Sequence, residues 1–166
     1  MLIKLYEKTK EWGPGSCMVA FYFISIMLLG VNLSYQVHTN EILNEISRPI
    51  GDMNLFISAL FIAPWFETIL YNVFLTKIFG YMKLRPINSI LGVALIFSAS
   101  HYTQGLLAPF LIFIPAVCFA WNYHLYYEES QTWWGFLSTM VLHFLYNFTL
   151  FVVIPMIYMV IDIYYM

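Results

Sequence analysis

The run NLFISALFIAPWFETILYNVFLTKIF, Asn54–Phe79, holds one acid, Glu67, and no base until Lys77 near its end. A helix needs about 20 predominantly apolar residues to cross the hydrocarbon core of a bilayer, and this stretch is long enough. Four further apolar segments lie around it: Cys17–Gln36 before it, then Ile87–Tyr102, Gly105–Tyr126 and Thr132–Tyr158. Pro109 and Pro115 predict an irregular fourth helix, and Pro155 is expected to bend or end the fifth. Of the 166 residues, 61% are hydrophobic and 10% are charged, against about 25% charged in a soluble domain. The fold class is therefore all-α: an integral membrane helical bundle of about five transmembrane helices. Residues 1–166 form a single membrane domain without internal repeats, and too little chain is left for a separate soluble one.

Charge placement gives an orientation. Lys4, Lys8 and Lys10 precede the first segment, and Lys77, Lys83 and Arg85 lie between the second and third; Arg48 alone falls on the opposite side. Basic residues favour the cytoplasm, so the protein is expected to be a multi-pass cell-membrane protein with its amino terminus cytoplasmic. Residues 1–16 read as a cytoplasmic or interfacial segment, with Lys4, Lys8, Lys10 and Trp12 along the membrane surface. The first apolar run is not followed by a small-residue cleavage site and reads as a retained helix. The formal net charge of −2 points to no nucleic-acid partner. Cys17 and Cys118 lack metal-binding spacing and read as small buried hydrophobes. His38 and His124, near segment ends, read as interfacial, and Trp12, Trp121, Trp133 and Trp134 read as interfacial or lipid-facing.

An ionisable side chain in mid-membrane is expensive and marks a candidate functional site. Glu67 sits within the second segment, His101 closes the third, and His143 and Asn147 stand four apart in the fifth, on one helical face. Counted from the cytoplasmic ends of their helices, at about 1.5 Å per residue, these four groups lie about 15–22 Å deep, in one layer. A desolvated carboxylate suits general-base work near neutral pH. An imidazole beside it can help deprotonate water, and a second imidazole with an amide can donate to an oxyanion. Alternatively, Glu67, His101 and His143 could be three ligands of a catalytic zinc, and spacing does not separate the two. Zinc is the one cofactor these residues would take. Neither a G-x-S-x-G nor an H-E-x-x-H motif is present.

Pro64-Trp65-Phe66-Glu67, then Phe97–His101, then His143–Asn147 follow one another in the order and spacing of a known set of motifs. The pattern resembles the CPBP intramembrane proteases, which include CAAX prenyl endopeptidases, Abi proteins and bacteriocin-immunity relatives. The resemblance covers 54–148, leaving the first segment outside. It implies that Glu67 and His101 activate water and that His143 and Asn147 assist at the oxyanion or at a metal. Two positions depart from it. A second Glu is Thr68 here, and an Arg four residues on is Asn72; the pair is expected to keep a neutral hydrogen bond and to bear on substrate positioning.

The function expected from these residues is an intramembrane endopeptidase acting on a membrane-associated peptide or protein, prenylated or bacteriocin-like, with the lipid bilayer as its surroundings. The alternatives are a weakly active or inactive immunity or interaction protein on the same scaffold, and a small transporter or proton relay. His143 and Asn147 also fit plain interhelical hydrogen bonding.

Overall fold

A computed structural model of the chain describes residues 1–36, 53–104 and 108–157. His38 and the polar link around Arg48 lie outside these. Among the described residues six helices follow in order: α1 Leu2–Glu11, α2 Pro14–Gln36, α3 Met53–Tyr81, α4 Pro86–Ser100, α5 Ala108–Glu128 and α6 Thr132–Ile157. Among the described residues α3, α5 and α6 are long and apolar enough to cross a membrane. The third apolar segment is α4, whose 15 residues span only about 22 Å before the chain tightens into a 3₁₀ turn at His101–Gln104. The architecture is a helical membrane bundle, with α5 at its centre, packed against α2, α4 and α6.

Two helices widen where proline demands it. Proline has no N–H to give and its ring collides with the carbonyl four residues back. For Pro64 and Pro155 that carbonyl belongs to Leu60 and Phe151, and each lies in a π-helical turn, Ser58–Ile62 and Thr149–Val153. The helices thus continue through both prolines; Pro155 does not end α6. Pro115 sits inside α5 without such a turn.

A third π-helical stretch, Thr68–Leu75, has no proline. It belongs instead to a buried row on every fourth residue of α3: Leu60, Pro64, Thr68, Asn72 and Thr76. At 3.6 residues per turn such a row would rotate by about 40° per step. π turns hold more residues each and cancel this drift, so the row stays on one face.

α1 docks against the end of α5. Tyr6 and Thr9 are buried; the Tyr6 hydroxyl meets His124 Nδ1 at 3.1 Å and Trp121 Nε1 donates to Thr9 Oγ1 at 3.1 Å. Trp121 and His124 are therefore buried partners of α1, whereas Trp12, Trp133 and Trp134 are exposed as expected. Lys10 pairs with Glu128, and the hydrogen bond between them holds the Lys10 ammonium above its usual range. Burial moves the Tyr6 phenol the same way. Cys17 and Cys118 are both buried and free.

α5 and α6 approach closely at Gly135, as small residues allow between membrane helices. A Cβ there would stand 2.9 Å from Tyr126 Cβ and 3.2 Å from Tyr123 Cδ2. Gly135→Ala is expected to lower stability by about 1 kcal/mol, since overpacking costs about 1–3 and helix propensity returns about 1. Thermal unfolding in detergent checks this, and an unchanged midpoint would contradict the close approach.

Candidate active site

The local fold brings three of the four expected residues together. Glu67 ends the α-helical turn that begins at Ala63, immediately before the long π stretch of α3. His101 caps the carboxyl end of α4, and His143 lies inside α6. Glu67 Oε2 is 3.5 Å from His143 Nε2, and Oε1 is 3.9 Å from His101 Nε2. One carboxylate is thus flanked by two imidazoles that approach it through the same ring atom.

The His101 ring is fixed by its own helix. Nδ1 lies 2.9 Å from the Phe97 carbonyl, which also accepts from Ser100 Oγ at 2.7 Å. A carbonyl only accepts, so Nδ1 carries a hydrogen, and in the neutral form of the ring Nε2 turns its lone pair towards Glu67. Two acceptors facing each other at 3.9 Å call for a shared donor between them, and a water molecule suits that position.

His143 is held by aromatic rings. Phe119 stacks on it with centroids 4.6 Å apart, and Phe97 meets it edge-on at 5.8 Å. Phe97 also lies 4.8 Å from the His101 ring and 5.0 Å from Tyr71, so it wedges both imidazoles in place. The motif contained Phe97 but not this role. Phe119 and Tyr71 carried no signal at all, because aromatics make up 20% of the chain and stacking partners cannot be chosen among them by spacing.

Asn147 is placed differently from the other three. Its Nδ2 donates to the Ala59 carbonyl at 2.9 Å. Ala63 N–H, which an α-helix would give to that carbonyl, goes to Ser58 O instead. The next donor in the π register belongs to Pro64, which has none. Asn147 therefore satisfies the carbonyl that Pro64 and the widened turn leave unpaired, and it pins α6 to α3 one turn from His143.

Thr68 and Asn72 are fully buried, yet Thr68 Oγ1 and Asn72 Oδ1 have no hydrogen-bond partner among the described residues. The neutral bond expected between the two is not made. Nor do three His, Cys, Asp or Glu side chains converge closely enough to hold a metal ion among the described residues.

Outside the imidazole pair, Glu67 opens onto a shallow apolar groove on α3, lined by Phe66, Ile69, Leu70, Tyr71 and Phe74. Phe66, Leu70 and Phe74 are more than half exposed, so the groove faces the lipid side of the bundle. A carboxylate beside two histidines, reached laterally from an apolar surface, can deprotonate water next to a membrane-borne carbonyl group.

No curated protein and no solved structure matches the chain. A family model described as type II CAAX prenyl endopeptidase Rce1-like matches residues 49–149, more than half of the sequence, with Glu67, His101, His143 and Asn147 all inside the matched region. In agreement with the motifs, the chain belongs to the type II CAAX prenyl endopeptidase Rce1-like family of intramembrane proteases.

Proposed function

We propose that this protein hydrolyses a peptide bond of a membrane-associated, lipid-modified substrate, with Glu67 as general base. The approach of one Glu67 carboxylate to Nε2 of both His101 and His143 carries the reading. Water held between Glu67 and His101 Nε2 loses its proton to the carboxylate as its oxygen attacks the substrate carbonyl carbon. The resulting oxyanion receives a hydrogen bond from His143 Nε2–H, assisted by the second amide hydrogen of Asn147. As the C–N bond breaks, the proton on Glu67 passes to the leaving amine, and the carboxylate is restored. No step requires a metal.

The apolar groove beside Glu67 would take the lipid or apolar flank of the substrate. The family's name supports a prenyl group in that role. The basic residues at the amino terminus and between α3 and α4 support a cell-membrane location with the amino terminus in the cytoplasm. One observation favours a second reading, a non-catalytic scaffold: Thr68 and Asn72 stand where the resembling proteases carry a Glu and an Arg.

The deciding experiment incubates the purified chain in lipid nanodiscs with prenylated and unmodified peptides, with and without a chelator. Cleavage of the prenylated peptide, undiminished by chelation, is expected. Activity lost on chelation and restored by zinc would replace the metal-free mechanism. No cleavage of any peptide by folded protein would leave the scaffold reading in its place.

A further inference from the structure

Several hydroxyls in these helices bond to their own backbone. Thr149 donates to Leu145 O at 2.9 Å, Thr9 to Tyr6 O at 2.8 Å and Ser98 to Leu95 O at 3.1 Å. Thr68 Oγ1 does not, although its residue is wholly buried. Six other buried polar atoms among the described residues share this condition, among them Asn72 Oδ1 on α3, Asn122 Oδ1 on α5 and His143 Nδ1 on α6. Such an atom is costly if nothing pairs with it, and buried polar groups are paired by protein or by ordered water in nearly all cases.

These four residues fall within about one helical turn of one another in height. Glu67 touches His143, which fixes the relative height of α3 and α6. The two helices run in opposite directions, and the Thr68–Leu75 stretch packs directly on α6 and α5. Asn72, about one turn beyond Glu67, is therefore level with Thr139, about one turn before His143. Thr139 Oγ1 accepts from Asn122 Nδ2 at 3.0 Å, which brings α5 to the same height. The two amide oxygens are acceptors, and none of the four side chains carries a carboxylate or an ammonium. Their partner must be small, neutral and a donor, which describes water.

We infer that Thr68, Asn72, Asn122 and His143 line an internal hydration site behind the imidazole pair, on the Lys77 side of Glu67. Water there donates to His143 Nδ1 and so fixes the hydrogen on Nε2, the tautomer that can donate towards an oxyanion. Thr68 and Asn72 act as positioning residues: the two departures from the family motif build a neutral, hydrated support. The catalytic part of this inference rests on the peptidase reading; the hydration itself does not.

The test is radiolytic hydroxyl labelling of the full chain in nanodiscs, read by mass spectrometry at His143. Wild type is expected to label there although the residue is 4% exposed, because the label forms from adjacent water. The Thr68→Val/Asn72→Leu double variant is expected to label several-fold less, and Thr68→Ser to label like wild type. Unfolding raises labelling, so a misfolded variant cannot imitate the expected loss. Equal labelling in wild type and double variant, or none in wild type, overturns the inference. Peptide cleavage measured alongside should fall about 10–100-fold in kcat with KM unchanged, the loss of one or two hydrogen bonds at the transition state. The labelling pattern in a wild type that cleaves nothing would reject the peptidase reading and leave the hydration site standing.

Discussion

Glu67→Gln is expected to lower kcat/KM for a membrane peptide by about 10²–10⁴-fold, the usual contribution of a general base, while the protein keeps its thermal stability. The amide has the carboxylate's shape but cannot take a proton from water. It retains an oxygen and an N–H to face the Nε2 atoms of His101 and His143, now 3.9 Å and 3.5 Å from the carboxylate. Folding should not suffer, because removing a charge from the membrane interior removes a cost. The experiment separates three readings. A scaffold or immunity protein would keep its activity in the variant, since a neutral polar side chain preserves the interhelical contact. A proton relay would lose pH-dependent flux instead of peptide cleavage. Only a peptidase loses cleavage with its fold intact.

The bundle was legible in the sequence because solvent chemistry writes it there. In a bilayer every helix must be apolar along its length, so the segments around Glu67, Ala116 and Leu142 stood out and became α3, α5 and α6. The site was legible for the converse reason: few ionisable residues survive at that depth, and Glu67, His101 and His143 were among them. Their motif spacing pointed to the protease family that the family model then showed.

What escaped the sequence is local register and partner choice. Ala59 and Pro64 lie in a widened turn that redirects a carbonyl to Asn147, an interaction between residues 88 apart in sequence. Nothing in the sequence of α6 reveals that need. The every-fourth-residue row through Thr68, Asn72 and Thr76 was visible as polar positions, yet at the α-helical period it would have drifted around the helix and failed to mark one face. The docking of α1 escaped for a related reason. Its three lysines mark an interfacial segment, whereas Tyr6 and Thr9, which dock it against Trp121 and His124, carry no signal of a partner.

His143→Ala is expected to abolish two properties at once. Loss of an oxyanion donor should lower kcat by about 10²–10³-fold. The cavity left beneath Phe119, whose ring stacks on the imidazole at 4.6 Å, should also cost about 2–4 kcal/mol, as large-to-small changes in well-packed sites do. The unfolding midpoint in nanodiscs or detergent would fall accordingly. His143→Leu divides the two effects: an apolar side chain of similar size fills the space and recovers most of the stability, but it cannot donate and should remain inactive. His101→Ala gives the opposite balance. That residue caps a helix end beside a 3₁₀ turn, so its loss should remove activity with little change in stability. If His143→Leu were as active as wild type, His143 would be a packing residue, and the oxyanion donor would have to be sought in the Asn147 amide. If His143→Leu were inactive yet as unstable as His143→Ala, the imidazole would owe its stabilising role to polar contacts, which would direct attention to the unpaired Nδ1 and its surroundings on α3 and α5.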